Sequence, residues 1–147
     1  MPSRPVLEAL TLLTALLAGC GTVKSPTEPS ESPGGAQGAA FTFAQIQAQV
    51  FTPTCAKAGC HAASAASGGM VLEAGRAYGE IVNRPAVGNS SLDRIEPGAP
   101  ERSYLIKKLR GDPDITGDQM PLDAPGSLTQ EQMDGIVGWV LAGAPNN

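Results

Sequence analysis

After residue 40, apolar residues recur along this chain at helical spacing, in four separate stretches. The strongest covers residues 129–142, where apolar side chains fall at i, i+3, i+4, i+7 and i+8 and would line one face of a helix. Others lie at residues 100–110 and 74–82, and at residues 41–52, where Pro53 is expected to end the helix. No stretch alternates apolar and polar residues as a half-buried strand does. The pattern therefore predicts an all-α fold of three to four short helices joined by long loops.

The ends of the helices carry signals of their own. Thr42 and Thr129 are each followed three residues later by a glutamine, which is the pattern of a capping box. Gly111 follows the stretch at residues 100–110 and suits a helix C-terminus, because glycine adopts the left-handed conformation without steric cost. These residues predict where two helices begin and where a third ends.

A further apolar stretch at the N-terminus, residues 5–19, is preceded by Arg4. It is shorter than the roughly 20 residues that a membrane-spanning helix needs, and it ends in small residues directly before Cys20. The pattern resembles the signal of bacterial lipoproteins, in which the cysteine sulfur receives a diacylglycerol. We expect residues 1–19 to be a lipoprotein signal peptide and Cys20 to carry the lipid that anchors the protein to a membrane. The alternative is an ordinary signal peptide with an incidental cysteine.

Residues 20–40 begin with the lipidated cysteine and continue as a segment rich in proline, serine, glycine and glutamate. Such a segment has almost nothing to bury, so we expect a disordered tether of roughly 25 Å that holds a folded domain, residues 41–147, clear of the lipid. Gly21, rather than aspartate, follows the cysteine. In bacterial lipoproteins this favours the outer membrane, so the expected location is the cell envelope, on its periplasmic side or at the cell surface.

The composition leaves few large side chains for a core. The chain contains one tryptophan, two tyrosines and three phenylalanines, against 18 glycines and 13 prolines. Domains of this kind often gain stability from a disulfide, a metal or a bound cofactor. The net charge of −4 argues against nucleic acid as a partner, because such binding needs a basic surface. After Arg110 the only charged residues are acidic, and they could either steer a basic partner protein or form a solvated loop.

Two of the three cysteines lie in the run CAKAGCH, which starts at Cys55 and contains the only histidine of the chain. In c-type haem attachment, two thiols add to the vinyl groups of haem, and the histidine after the second cysteine binds the iron. Cys55, Cys60 and His61 provide these groups. The usual spacing is C-x-x-C-H, whereas four residues separate the cysteines here, so the extra two must bulge outward. Gly59 gives the backbone the freedom to do so.

The same cluster allows other interpretations. An exported protein can keep a Cys55–Cys60 disulfide, and the motif by itself favours haem no more than this disulfide. Zinc is a poorer interpretation, because two cysteines and one histidine leave a tetrahedral structural site one ligand short.

An iron bound by His61 cannot receive a second histidine from this chain, so its opposite ligand would be a methionine, a lysine, water or a foreign group. Met120 is the strongest candidate, because it lies in a polar loop and is followed by Pro121, where an apolar side chain has no evident role except burial against something. It could also simply fill the core. Met70 and Met133 are more typical of core residues.

Five pieces of the sequence, in a set order, resemble the planctomycete-type cytochrome c domain and its short relatives. The resemblance covers residues 41–147. The matching pieces are Phe43, Val50-Phe51-Thr52-Pro53, Cys55 and Gly59-Cys60-His61; Gly68-Gly69-Met70-Val71-Leu72; Pro97-Gly98-Ala99-Pro100-Glu101-Arg102-Ser103-Tyr104-Leu105 with Lys108-Leu109; Met120-Pro121; and Leu128-Thr129, Ile136, Trp139 and Gly143-Ala144-Pro145.

This resemblance implies a class I cytochrome c-like fold, with three to four short helices and long loops around one haem. It implies a single haem c attached covalently at Cys55 and Cys60, with His61 as the proximal ligand and Met120 as the distal ligand. The sequence departs from the family pattern in the C-x-x-x-x-C-H spacing.

These observations predict a membrane-anchored monohaem c-type cytochrome that carries single electrons in the cell envelope, with redox proteins as its partners. No base or nucleophile pair for small-molecule chemistry is evident, so we expect an electron carrier rather than an enzyme. One alternative is a haem-free lipoprotein, stapled by one disulfide, with an interaction or structural role. The other is a haem enzyme or gas sensor with an open iron site, in which Met120 does not bind.

Overall fold

The structure, a computed structural model, describes residues 39–147. The predicted signal peptide, Cys20 and residues 21–38 lie outside the described residues. The four α-helices of the described part are α1 (Phe43–Ile46), α2 (Ala77–Ile81), α3 (Tyr104–Arg110) and α4 (Gln130–Leu141). No β-strand forms within residues 39–147, where pairing is limited to three isolated bridges in the segment 82–103. The prediction of a small, mostly helical domain with about four helices is confirmed.

Helix α1 begins where the sequence predicts but continues further. Thr42 and Gln45 form the capping box, with the Gln45 N–H donating to Thr42 Oγ1 at 3.1 Å. The prediction that Pro53 ends the helix is wrong, because a π-helical stretch, Gln47–Cys55, carries the turns past it. Proline has no N–H to donate within the stretch. The Gln49 carbonyl oxygen of the same stretch accepts a hydrogen bond from Gln132 Nε2 of α4 at 3.1 Å, which ties the stretch to α4.

Helix α3 is shorter than the predicted segment 100–110. Pro100–Arg102 forms one 3₁₀ turn, and Ser103 then takes an extended conformation before α3 begins. The buried Ser103 hydroxyl donates to the Ala99 carbonyl oxygen at 2.9 Å and accepts the Glu96 N–H at 3.0 Å. Serine side chains compete with helical backbone bonding in this way, which accounts for the break. Gly111 ends α3 at φ +77°, as predicted.

Helix α4 matches its prediction, with the Thr129 capping box at its start. Its Trp139 is fully buried, and the ring centroid lies 5.5 Å from that of Phe43. Trp139 Nε1 donates to the Pro145 carbonyl oxygen at 2.8 Å, so the C-terminal segment folds back onto the same core. The shorter α2 forms within the predicted 74–82 stretch and buries Ala77 and Ile81.

Candidate functional site

The two cysteines and the histidine lie on one closed loop at the end of the π-helical stretch. The His61 N–H donates to the Cys55 carbonyl oxygen at 3.1 Å, which draws the two ends of the motif together. Between them the Cys60 N–H donates to the Lys57 carbonyl oxygen at 2.9 Å, and Gly59 has a φ of +81°. The four-residue spacing is therefore taken up by a tight turn that needs the left-handed conformation of glycine.

The imidazole of His61 is half-buried, and its Nδ1 atom is buried with no hydrogen-bond partner. A buried polar nitrogen without a partner costs about 1–3 kcal/mol. A bond from the ring to a metal or ligand, or a rearranged ring orientation, would offset this cost. The backbone around His61 is held firmly, since its carbonyl oxygen accepts the N–H of the buried Leu72 at 2.8 Å.

Met120 lies in the loop between α3 and α4 and is anchored to α3. Its N–H donates to the Lys108 carbonyl oxygen at 2.8 Å. The neighbouring Gln119 side chain donates through Nε2 to the Leu109 carbonyl oxygen, also at 2.8 Å. These carbonyl groups belong to the last turn of α3 and have no partner within the helix, so the loop completes the helix end and is placed by it.

All four predicted site residues of the folded part, Cys55, Cys60, His61 and Met120, line one cavity of about 280 Å³. This volume lies near the lower end of the range of small-molecule sites. The lining is mostly hydrocarbon. Its apolar members are Phe51, Met70, Leu72, Ala86, Val87, Leu105, Leu109, Pro121 and Leu122.

Two of these apolar residues are open to solvent. Val87 is 73% exposed and Leu122 is 61% exposed, and both belong to the cavity lining. Large apolar side chains exposed beside a cavity are typical of a surface that a ligand or partner covers. The cavity therefore has the character of a partly open site with a mostly apolar lining.

Met70 also lines the cavity, which the sequence interpretation missed. We expected Met70 in the core, and it does pack against the core, but it also lines the cavity. The signal that was available is its short distance in sequence from His61. Met133, by contrast, packs against the core and does not line this cavity.

Arg94 and Tyr104 also line the cavity, and of the two only Tyr104 belongs to a piece of the sequence quoted above. The Arg94 guanidinium donates to the carbonyl oxygens of Gly69 at 3.1 Å and Glu80 at 2.7 Å, so it ties the segment before Met70 to α2. The buried Tyr104 hydroxyl accepts the N–H of Thr116 at 2.8 Å. Both groups hold loops in place around the cavity.

The cysteine sulfurs are free thiols in this structure, and both are half-buried. Burial raises the pKa of the Cys55 thiol to about 11, and the nearby positive charge of Lys57 only partly opposes this. Cys55 is therefore protonated at neutral pH. A protonated thiol is a poor nucleophile, so the arrangement does not resemble a catalytic cysteine.

The predicted lipid site, Cys20, lies outside the described residues, so the structure gives no view of it. Within residues 39–147, every helix is too short or too polar to cross a bilayer. A comparison with known protein families, with curated proteins and with solved structures finds no match for the chain.

Proposed function

We propose that this protein is a membrane-anchored monohaem c-type cytochrome that carries single electrons in the cell envelope. The observation that carries the proposal is the convergence of Cys55, Cys60, His61 and Met120 on one largely apolar cavity. Met120 is 59 residues from His61 in sequence, so chance neighbourhood along the chain does not explain their meeting.

Each residue has a distinct task under this proposal. Cys55 and Cys60 would hold haem c through thioether bonds, and His61 and Met120 would bind its iron from two different loops. When bound, haem supplies one-electron chemistry by cycling its iron between the ferric and ferrous states. A methionine ligand raises the reduction potential of haem iron, and the apolar lining would limit its contact with water.

The residues fit this group on three structural grounds. Neither Cys55 nor Cys60 is in a disulfide, so both sulfurs remain for thioether bonds to haem. The His61 ring has a buried nitrogen with no protein partner. The exposed Val87 and Leu122 belong to the cavity lining, so a flat apolar group bound there would gain apolar contacts from them. The class I cytochrome c-like arrangement and its resemblance to the planctomycete-type domain belong to the same proposal.

The anchoring and location are also proposed, from the sequence. Cys20 would carry the lipid, and Gly21 after it favours the outer membrane. Redox proteins would be the partners, and no nucleic acid or small-molecule substrate is expected.

The decisive experiment is expression of the full chain in a host that is competent for cytochrome assembly. The purified protein should be red, should keep its colour after denaturation, and should show the added masses of one haem and of lipid in an intact-mass measurement. A colourless, folded protein with a Cys55–Cys60 disulfide would instead support the haem-free lipoprotein. A coloured protein that binds carbon monoxide or cyanide at once, without displacing a ligand, would support an open iron site.

A further inference from the structure

One ion pair joins the loop of the cysteine cluster to the loop that carries Met120. Lys57 Nζ lies 3.0 Å from Asp123 Oδ2. Lys57 belongs to the four residues between the two cysteines, and Asp123 follows Met120 by three residues and lines the cavity. We call this contact the bridging pair, because it connects the loop that holds His61 to the loop that holds Met120.

The other hydrogen bonds that hold the Met120 loop within residues 39–147 run mainly to α3 and not to the cysteine loop. The backbone N–H of Met120 and the side chain of Gln119 both donate to carbonyl groups at the end of α3. Lys108 of α3 donates back to the carbonyl oxygen of Thr116 at 3.0 Å. Among the hydrogen bonds of residues 39–147, only the bridging pair runs from the segment 111–127 to the cysteine loop.

Charge, rather than burial, holds the bridging pair together. The side chains of Lys57 and Asp123 are 44% and 55% exposed. Hydrogen bonding to Asp123 raises the pKa of Lys57, and hydrogen bonding to Lys57 lowers the pKa of Asp123. Both groups are thus charged at neutral pH. Because the pair is exposed, added salt screens it.

We propose that the bridging pair positions Met120 over the cavity, and that the four-residue spacing between the cysteines supplies the lysine that makes this possible. The proposal rests on the proposed function, in which Met120 binds the haem iron. Lys57 is also the residue whose carbonyl oxygen accepts the Cys60 N–H, so it begins the turn that takes up the extra length. Lys57 and Asp123 are positioning residues, since they act through the loop and not on the iron.

The test uses the haem-loaded full chain in its oxidised form. Imidazole, added in excess, displaces a thioether ligand only after the ligand's loop moves away, and the displacement is followed as loss of the iron–sulfur absorption band. Lys57→Ala should speed this displacement roughly 1.5- to 5-fold at low salt, the range expected for an exposed ion pair. Sodium chloride should speed displacement in the unchanged protein but leave Lys57→Ala unaffected.

Two controls separate positioning from a general loss of stability. Arg102→Ala removes another exposed ion pair, with Glu96 at 2.7 Å, and neither residue lines the cavity. Its displacement rate should equal that of the unchanged protein. In the double variant Lys57→Asp with Asp123→Lys, imidazole should displace the ligand more slowly than in either single variant, because opposite charges face each other again.

The outcomes distinguish this proposal from the proposed function. A red protein in which Lys57→Ala and the unchanged chain lose the band at the same rate overturns the positioning role alone. A pale protein overturns the proposed function and the ligand role of Met120 with it. In either preparation, amide hydrogen exchange over residues 118–124 should be faster in Lys57→Ala, and equal exchange would show that the bridging pair does not fasten the loop.

Discussion

Met70 and Met120 line the same cavity, so the described residues offer two methionines for the distal ligand of the proposed haem. Met120 is favoured, because its loop is anchored to α3 and to the cysteine loop through the bridging pair. Met70 lies beside the segment that pairs with His61, since Leu72 bonds the His61 carbonyl oxygen. Met70 therefore belongs to the same side of the cavity as His61, whereas Met120 comes from a separate loop.

The first prediction follows from this difference. Met120→Ala should abolish the iron–sulfur absorption band of the oxidised haem-loaded protein, because the thioether is removed. Met70→Ala is the matched control and should keep the band. Truncating a buried methionine to alanine lowers the free energy of unfolding by about 2–5 kcal/mol. Because the Met70 side chain is only half-buried, we expect a smaller loss. An unchanged spectrum in Met120→Ala would reject that ligand, and loss of the band in Met70→Ala alone would assign the role to Met70.

The second prediction concerns the Cys55 thiol in haem-free, reduced protein. Burial raises its pKa from 9.0 to about 11, so the reactive thiolate is scarce. Alkylation of Cys55 by iodoacetamide at pH 8 should be on the order of 100-fold slower in the folded chain than in urea, since each pKa unit is a factor of ten. Peptide mass mapping over time measures the rate.

The same shift sets the direction of a pH effect on stability. The unfolded chain loses the Cys55 proton near pH 9.0 and the folded chain near about pH 11. The buried, protonated Cys55 thiol therefore makes its full contribution to the free energy of unfolding below pH 9.0. This contribution is lost as the pH rises to about 11. Haem-loaded protein, in which the sulfur is a thioether, should show no such loss. Equal alkylation of folded and urea-treated chains would contradict the burial of this thiol.

At the scale of elements, the end of α3 and the Met120 loop act as one unit. Gly111 ends the helix at φ +77°, and a Cβ atom at this position would lie 2.9 Å from the side chain of Gln119. Gln119 is the residue that precedes Met120 and bonds the last turn of α3. A side chain at Gly111 would therefore push the end of Gln119 aside and disturb its hydrogen bond to the end of α3.

The third prediction is that Gly111→Ala destabilises the domain by about 2–4 kcal/mol, from backbone strain at positive φ together with the collision. Gly75→Ala is the control, because Gly75 has a similar φ of +80° but nothing within 4 Å of its added Cβ. Strain alone should cost it only about 1–2 kcal/mol. Urea unfolding measures the free energy of unfolding of both variants. Equal decreases would mean that the contact with Gln119 does not contribute to the effect of Gly111→Ala.

At the scale of the whole molecule, lysines from other segments offset part of the negative charge of the acidic C-terminal part. Lys107 pairs with Asp112 and Asp114, and Lys57 pairs with Asp123. The remaining acids after Arg110 have no ion pair among the contacts of residues 39–147. They are Asp118, Glu131 and Asp134. Steering of a basic redox partner toward the Met120 side would therefore rest on these three charges.

The fourth prediction is a modest salt effect on electron transfer. The bimolecular rate constant with a basic small redox protein should fall roughly 2- to 10-fold between low ionic strength and 0.5 M salt, because salt screens exposed charges. Stopped-flow absorbance measures the rate. Replacing Asp118, Glu131 and Asp134 by their amides should flatten the salt dependence. A rate that does not change with salt in the unchanged protein would remove the steering hypothesis.

The sequence by itself determined the features that depend on short-range chemistry. Both capping boxes form as predicted, because each needs only a threonine and a glutamine three residues apart. Gly111 ends α3 and Gly59 turns the cysteine loop, because positive φ favours glycine wherever it occurs. The candidate ligands could also be named from spacing and residue type, since thiols, imidazole and thioether are the groups that this chemistry uses.

Only the tertiary structure decided the features that depend on residues distant in sequence. The turns continue past Pro53, in a π-helical stretch that Gln132 of α4 holds through the Gln49 carbonyl oxygen. The cavity itself, with Met70 in its lining, exists because the π-helical stretch, α3 and the three connecting segments 56–76, 82–103 and 111–129 meet there. The bridging pair joins residues 66 positions apart. Such contacts follow from the packing of the whole chain, and no local pattern of apolar and polar residues encodes them.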